Sequence, residues 1–422
     1  MELTNSNTLR INKYKAGLFL ACLYIFASYI AQDLFLSSRI NSLCLYVFLA
    51  FSAYVFITKF SASKSISVFA CWCVLFFIAS CLTALYSPNF ASTTSSLYLM
   101  FVAFCLCVFF QLYTNDESGF SKIAWCYSIS GFILIALLFL TGNLVGDADH
   151  RLGSELVGNS NSFAAMMMVA TMYSIWLWVY KIKKWLPKLL MLAIIVAYIY
   201  TLALSGGRKF FIVPFLFLYL LLFFKTNKRG KRNILLYTAL FAVVVSIVWS
   251  LIMNVEIFYN AIGVRMENLL KAFAGMGGDN SSQVRETIRQ LAFEKWLERP
   301  LFGYGYDSFK YLALQRVGQF FYSHCNYTEL LYSGGILYAA LFYWIYYKIL
   351  KNAFRNKVIP VAYKAFAFAV VISWLVFDYG AVSYNLNPTM IMLMMAYNAS
   401  TFANKETKEN GQTANAEVAV EK

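Results

Sequence analysis

Histidine is scarce in this chain, and His324 ends its one long polar segment, residues 254–326. An imidazole exchanges protons near neutral pH, so it is the side chain best suited to act as a general base there. At the edge of an apolar run a partly hydrated imidazole keeps a pKa near neutral, so His324 is predicted either to transfer protons or to be an interfacial histidine hydrogen-bonded to a neighbour. The second histidine, His150, has acidic neighbours, which favours a structural or substrate-facing role.

Arginines in the same polar segment have the spacing of an anion site. Capping residues at 279–282 and apolar residues at helical spacing predict an amphipathic helix at about 282–298, which Pro300 ends. Arg285 and Arg289 are four residues apart, so their guanidinium groups lie along one side of this helix. They are predicted either to bind phosphate or to form a solvated face that contacts lipid headgroups.

A second basic pair follows two glycines in a tight turn. Arg208 and Lys209 come directly after Ser205, Gly206 and Gly207. Glycine permits close approach of the backbone, and two adjacent cations attract phosphate. The membrane topology derived below places both residues on the outer side, which is poor in cations. We therefore predict a binding function for them rather than a role in topology.

The elements that carry these residues are predicted to be membrane helices. The chain is 60% hydrophobic and only 13% charged, which is typical of an all-α polytopic membrane protein. About twelve runs are long enough to cross a hydrocarbon layer of about 30 Å. They lie at approximately 16–36, 40–58, 66–86, 95–113, 123–141, 162–180, 189–205, 210–224, 234–253, 327–347, 361–378 and 384–402.

The distribution of lysine and arginine predicts the topology. With the amino terminus inside, 23 of the 35 basic residues fall on the inner side, so both termini are expected in the cytoplasm. The outer side then receives residues 142–161 and 254–326. Since the basic residues are spread over short inner loops, and not clustered on one folded face, the sequence argues against a nucleic-acid partner.

This topology divides the chain into four parts. Residues 1–253 hold nine spans, 254–326 form a large, partly helical extracytoplasmic loop, and 327–402 hold three more spans. Residues 403–422 are polar and predicted to be a disordered cytoplasmic tail. Eight of the nine cysteines lie in apolar runs and none has the spacing of a zinc site, so neither a metal nor another cofactor is implied.

Four segments within residues 140–350 resemble the O-antigen ligase and O-antigen polymerase superfamily of bacterial glycan-assembly enzymes. The family patterns are R-x-x-G-x-x-x-N-P-N before a central span, G-S-R in a middle turn, R…P-L-x-G-x-G in the large outer loop, and H-N/S with a glycine eleven residues later. The corresponding segments here are Arg151 to Asn161, residues 206–208, Arg285 to Gly305, and His324 to Gly335. The departures are Ser160 for proline, Gly207 for serine, and Cys325 after the histidine.

The resemblance implies metal-independent glycosyl transfer on the outer face of the plasma (inner) membrane. The donor is an oligosaccharide linked to polyprenyl diphosphate, and the other expected partners are the lipid bilayer and a chain-length regulator and flippase of the same pathway. The implied roles are diphosphate binding for Arg208, Arg285, Arg289 and Lys209, proton acceptance for His324, and further substrate contacts for Arg151, Asn161 and Tyr304.

Two acceptors remain open, as does one unrelated function. A polymerase transfers the glycan to another lipid-linked repeat unit, whereas a ligase transfers it to lipid A core. The Gly-Gly-Arg-Lys turn at 206–209 and Cys325 resemble polymerases more closely. A transporter or flippase would bury ionisable groups at mid-membrane and show a repeat between its halves. The sequence favours the polymerase over the transporter because its outer-side cations lie at the membrane rim.

Overall fold

The computed structural model describes residues 2–31, 35–63, 66–144, 151–153, 159–227, 231–274, 280–384 and 386–402. His150 and the predicted tail at 403–422 lie outside the described residues. Within them the fold is entirely helical, which confirms the predicted fold class. Eight of the described helices are long and apolar enough to cross a membrane, so this is a multi-pass membrane protein.

A helix overlaps each of the twelve segments predicted to span the membrane, and the described part of the predicted outer loop contains four further helices. The described residues also include two π-helical turns, at Leu177–Lys181 after α6 and at Tyr259–Gly263 before α11. The helices are α1 Glu2–Ile30, α2 Ser38–Ser63, α3 Val68–Ala84, α4 Phe90–Tyr113, α5 Glu117–Leu140, α6 Ser160–Trp176, α7 Trp185–Leu204, α8 Arg208–Asn227, α9 Lys231–Asn254, α10 Glu256–Phe258, α11 Val264–Phe273, α12 Asn280–Glu298, α13 Phe309–Val317, α14 Asn326–Arg355, α15 Val361–Asp378 and α16 Asn387–Ala399.

Helix α6 lies at the centre of the bundle. Apart from Asn161 and Ser162 it is buried along its whole length, and it packs against α5, α7, α8 and α16. A helix with apolar residues on every side is stable only when other helices surround it, as here. Helix α8 packs against α6 and against α15, and Phe366 of α15 stacks on Tyr173 of α6. The ends of these three central helices therefore provide a rigid frame for Asn161, Lys209 and Gly380.

Helix α14 is broken at Gly335, and the break receives the glycine turn of the outer loop. Gly335 has φ 72° and ψ −170°, a conformation that is almost restricted to glycine. The carbonyls of Tyr332 and Ser333 leave the helical pattern and accept hydrogen bonds from the backbone N–H groups of Tyr304 and Gly305, each at 2.8 Å. The break thus pairs backbone groups that a buried kink would otherwise leave unsatisfied.

Only glycine fits at this junction. A Cβ atom on Gly335 would lie 2.2 Å from the backbone of Leu301, and one on Gly303 would lie 2.4 Å from the carbonyl oxygen of Tyr332. The turn follows directly after α12, and Ile288 and Ala292 of α12 pack with Tyr332 of α14. The helix that carries Arg285 and Arg289 is therefore fixed to α14, whose first residue is two positions after His324.

Candidate active site

The turn between α7 and α8 brings several polar groups close together. Gly206 has φ +66°, and a Cβ atom there would lie 3.0 Å from the carbonyl oxygen of Ala261 and 3.2 Å from Nε of Arg151. The Arg151 Nε donates to the carbonyl of Ser205 at 2.8 Å, and its Nη2 donates to Oδ1 of Asn161 at 3.3 Å. The absence of a side chain at Gly206 thus allows the Arg151 guanidinium to lie against the turn.

Arg208 and Lys209 begin α8, and both donate to backbone carbonyls. Nη1 of Arg208 donates to the carbonyl of Arg265 at 2.7 Å, and Nζ of Lys209 donates to the carbonyl of Gly380 at 2.5 Å. The Lys209 ammonium also lies 5.6 Å from the centre of the Phe377 ring. Burial, then the charges of Arg285 and Arg151, lowers the pKa of Lys209 to about 7.

Helix α12 presents Arg289 to the same region. Its guanidinium lies 4.6 Å from the centre of the Tyr379 ring and forms an ion pair with Glu286. Among the residues that the structure describes, Nε of Arg289 is buried without a hydrogen-bond partner. Tyr379 precedes Gly380, which binds Lys209, so the segment after α15 joins these two cations. Arg285, one turn earlier on α12, is half-buried.

His324 has a left-handed backbone conformation, with φ 56°. Its ring packs against Tyr322 and Phe321, with centroid distances of 4.7 and 5.9 Å. The turn is fixed by Glu329, whose buried Oε2 accepts a hydrogen bond from the backbone N–H of Ser323 at 2.7 Å. Non-glycine residues with positive φ are uncommon and concentrate at functional sites, so this geometry is consistent with a positioned imidazole.

The pKa of His324 differs from the near-neutral value expected from the sequence. Burial lowers it first, the charges of Arg285, Lys209 and Arg289 lower it further, and it reaches about 3. The sequence-based expectation was wrong because it treated the imidazole as partly hydrated and isolated. With this pKa the imidazole is neutral at physiological pH and available to accept a proton.

Arg285 acts electrostatically on His324, on Lys209 and on Arg151, so its charge lies in the same neighbourhood as all three. The pKa of Arg151 is lowered to about 10, first by burial and then by the charges of Arg265, Arg285 and Arg208. The structure thus places most of the sequence-predicted site residues near the turn at Gly206 or near His324, with Arg285 acting on both. These residues are Arg151, Asn161, Arg208, Lys209, Arg285, Arg289 and His324.

Tyr304 is placed differently. Its ring stacks on Tyr332 with centroids 4.9 Å apart, and its hydroxyl donates to Oε2 of Glu298 at 2.7 Å. The guanidinium of Arg299 lies 4.7 Å from the centre of the Tyr304 ring. These contacts belong to the packing of the glycine turn on α14. Tyr304 therefore supports the position of α12 and makes no contact with the arginines around Gly206 among those described.

Arg265 was missed by the sequence analysis. It lies in the first turn of α11, and its Nε is 3.4 Å from the Cβ position of Gly206, a point that is also 3.2 Å from Nε of Arg151. An available signal was an arginine on the outer side of a chain whose cations are biased inward. Together with five predicted residues it forms what we term the cationic cluster, namely Arg151, Arg208, Lys209, Arg265, Arg285 and Arg289.

The positive charges of the cationic cluster repel one another, and this repulsion contributes to the lowered pKa values of Arg151 and Lys209. Two unit charges roughly 6 Å apart repel by about 3 kcal/mol at an effective dielectric constant of about 20. A multivalent anion such as a diphosphate would offset this repulsion, and the planar guanidinium group binds phosphate oxygens through two donors. Beside the cluster, the neutral imidazole of His324 can accept a proton. The arrangement can therefore stabilise an anionic leaving group and deprotonate a nucleophile.

The segment that contains most of these residues matches a known protein family. The family model described as O-antigen ligase matches residues 193–343. The matched segment includes Arg208, Lys209, Arg285 and His324, as well as the break at Gly335. The match supports the resemblance to the O-antigen ligase and polymerase superfamily that the four motifs indicate. No curated protein matches the chain significantly.

Proposed function

Since residues 193–343 match the O-antigen ligase family, we propose that this multi-pass membrane protein is a polysaccharide polymerase. It transfers a glycan from undecaprenyl diphosphate, or a similar polyprenyl carrier, to a hydroxyl of another lipid-linked repeat unit. The reaction takes place at the outer face of the bacterial plasma membrane, with both termini of the chain in the cytoplasm. The observation that carries the proposal is that three residues of the cationic cluster, Arg285, Lys209 and Arg289, lie close enough to His324 for their charges to lower its pKa.

The cationic cluster stabilises the leaving group. The bond between the anomeric carbon and the diphosphate oxygen breaks, and negative charge develops on the departing diphosphate. Arg208 and Arg285 hold this group, and Arg289 and Lys209 contribute further positive charge. Preorganised charges in a poorly hydrated site stabilise such a transition state strongly because they need no reorganisation during the reaction. This mechanism requires no metal ion.

His324 accepts the proton of the attacking hydroxyl. The hydroxyl oxygen forms the new bond to the anomeric carbon while its proton passes to the imidazole. In the free protein, burial and neighbouring cations hold the pKa of His324 low. A bound diphosphate offsets those cations, so the imidazole becomes more basic when donor and acceptor are both present. The base is thus kept unprotonated until substrate arrives, and becomes a better proton acceptor once it is bound.

The same donor chemistry serves a ligase, for which the acceptor is a sugar of lipid A core. The family match does not distinguish a lipid-linked repeat unit from lipid A core as the acceptor. The turn at residues 206–209 resembles polymerases and therefore favours the polymerase. A transporter or flippase needs no imidazole beside a cationic cluster, and we regard it as the weaker alternative.

A gene deletion separates these functions. Deletion of a polymerase leaves lipopolysaccharide core that bears one repeat unit, whereas deletion of a ligase leaves bare core, and gel electrophoresis resolves the two. In a host without an outer membrane, the corresponding readout is loss of high-mass capsule. Complementation with the wild-type gene should restore the long ladder. An unchanged ladder in the deletion strain would refute the assignment to this pathway.

The pH dependence of the reaction should report Lys209. Its pKa is lowered to about 7, so the side chain is charged below that pH and neutral above it. We expect kcat/KM, which reports the free enzyme, to fall as the pH rises through about 7, because a neutral Lys209 no longer attracts the diphosphate. Lys209→Arg should move this decline to higher pH, since arginine stays protonated.

The matched control for this prediction is Lys295→Arg. Lys295 is on α12 and pairs with Glu298 at 2.6 Å, away from the cluster. It should leave the pH profile unchanged. An identical alkaline decline in wild type and Lys209→Arg would show that Lys209 is not the titrating group.

A further inference from the structure

One exposed side of α12 changes from polar to apolar along the length of the helix. Glu286 and Gln290 lie on this side in the first half of the helix, and Phe293 and Leu297 follow at helical spacing in the second half. All four side chains are exposed. In a helix that descends obliquely into a membrane, the polar half stays hydrated and the apolar half contacts lipid. The carboxyl-terminal end of α12 is thus the end suited to contact the bilayer.

The turn after α12 continues this apolar surface onto a membrane span. Leu301 and Phe302 are 53% and 66% exposed. The carbonyl of Pro300 accepts a hydrogen bond from the backbone N–H of Ile336 at 2.9 Å, and the hydroxyl of Tyr86 donates to the carbonyl of Phe302 at 2.5 Å. Ile336 is itself exposed and lies in α14, one of the helices that can cross a membrane. The turn is therefore bonded to the lipid-facing surface of the bundle.

The position of the break in α14 places this turn below the membrane surface. Lys348, thirteen residues after Gly335, is the first charged residue on α14 beyond the break, and charged side chains avoid hydrocarbon. Thirteen residues correspond to about 20 Å of helix, whereas the hydrocarbon layer is about 30 Å thick. The break thus lies about 10 Å inside the layer, measured from the side of His324. The backbone of Leu301 packs directly against Gly335, so the turn lies at this depth.

A groove beside the turn combines an apolar body with one cation. Its volume is about 420 Å³, and it is lined by Tyr86, Arg299, Pro300, Leu301, Phe302 and Gly303. Within the ranges that the structure describes, the exposed guanidinium of Arg299 forms no ion pair and lies 4.7 Å from the centre of the Tyr304 ring. The neighbouring Glu298 is bound by Lys295 and by the Tyr304 hydroxyl. Such a groove is complementary to an acyl chain that carries an anionic headgroup.

We propose that the turn at residues 299–303 is inserted into the leaflet on the side of His324, and that its groove binds a bilayer phospholipid with an anionic headgroup. The acyl chain packs against Leu301 and Phe302, and the phosphate contacts Arg299. The bilayer supplies the occupant because the groove borders the lipid-facing surface at Ile336. A bound lipid holds the end of α12, the helix that carries Arg285 and Arg289. The inference does not depend on the acceptor of the proposed reaction.

Photo-crosslinking tests the site without turnover. The photo-reactive amino acid benzoylphenylalanine is placed at position 302 of the full-length protein, in nanodiscs of equal parts phosphatidylglycerol and phosphatidylcholine. Irradiation should give phospholipid adducts, which mass spectrometry identifies. Position 337, exposed on the α14 span, is the positive control, and position 290, on the polar half of α12, should give no lipid adduct. Absence of phospholipid adducts at position 302, with adducts at 337, overturns the insertion.

The headgroup contact is tested in the same protein. We expect phosphatidylglycerol adducts to exceed phosphatidylcholine adducts about fivefold, which corresponds to about 1 kcal/mol for one cation at an anionic surface. Arg299→Gln should abolish this preference, and Arg299→Lys should retain most of it. The control is Arg316→Gln, which removes an exposed cation from α13 and should leave the ratio unchanged. Equal ratios in wild type and Arg299→Gln contradict the role of Arg299.

A competing lipid is excluded by adding the lipid-linked donor to the nanodiscs. Phospholipid adducts at position 302 should persist in its presence. Their replacement by polyprenyl adducts would assign the groove to the donor and refute the proposal. Failure of the proposed function has a separate signature, because a wild-type protein that transfers no glycan but forms these phospholipid adducts would refute the polymerase assignment and leave the lipid site in place.

Discussion

His324→Asn is expected to lower kcat by about 10²- to 10⁴-fold, the usual contribution of a positioned general base. Asparagine tolerates the left-handed backbone conformation that residue 324 adopts, so the turn should be retained. Its amide group does not accept a proton at neutral pH. The measurement is the release of polyprenyl diphosphate by the purified variant, with membrane insertion checked by its yield after detergent extraction.

Cys325→Ser is the matched control for this experiment. Cys325 is buried next to His324 and precedes α14 without capping it through its side chain. Serine has nearly the same shape, so turnover should stay close to wild type. Full activity in His324→Asn would remove the imidazole from the mechanism. A comparable loss in Cys325→Ser would show that the turn itself, rather than the base, had been damaged.

Arg285→Ala is expected to lower kcat/KM by about 10²- to 10³-fold, similar to the loss of one donor that stabilises a developing anion. We expect this large effect because Arg285 lies close enough to His324, Lys209 and Arg151 for its charge to lower the pKa of all three. Arg285→Lys should recover part of the rate because it keeps the charge but loses the two-donor geometry. The measurement is kcat/KM for a lipid-linked donor, determined by steady-state kinetics for wild type, Arg285→Ala and Arg285→Lys.

The same variant carries an internal check. Arg285 lowers the pKa of Lys209, so its removal should move the alkaline decline of kcat/KM to higher pH. Lys295→Ala, on the same helix and paired with Glu298, should change neither the rate nor the pH profile. Near-normal kcat/KM in Arg285→Ala would contradict the role of the cationic cluster in binding the diphosphate.

The helical elements were largely predictable because local signals determine them. Long apolar runs predicted the segments in which α1 to α9 and α14 to α16 are found, since a membrane helix must satisfy its backbone within one segment. Helix α12 likewise covers the stretch that capping residues and Pro300 delimit. The number of membrane spans is harder to derive from the sequence. About twelve were predicted, and eight of the described helices have both the length and the hydropathy of a membrane span.

The features that the sequence did not predict depend on contacts between distant residues. The break at Gly335 is satisfied by backbone groups about thirty residues earlier, at Tyr304 and Gly305. Arg265 joins the cationic cluster only because the π-helical turn at Tyr259–Gly263 packs near Gly206. Periodicity and spacing describe neighbours along one helix, so they contain no information on these pairings.

Two further features have the same origin. The substrate contact of Tyr304 stays a prediction, but the stacking of its ring on Tyr332 of α14 could not be derived from the sequence. The low pKa of His324 comes first from burial and then from the charges of Arg285, Lys209 and Arg289, which lie on two other helices. An electrostatic effect on one residue can be derived from sequence only when the positions of its charged neighbours are known.

The most direct test of the central claim uses wild-type protein in liposomes with a lipid-linked repeat unit as the sole substrate and a chelator present. We predict glycans of more than one repeat, with one polyprenyl diphosphate released for each new glycosidic bond. Release should slow by about 10²- to 10⁴-fold in His324→Asn and continue at close to the wild-type rate in Cys325→Ser. Absence of chain growth in wild type, or growth without stoichiometric release of diphosphate lipid, would contradict the account.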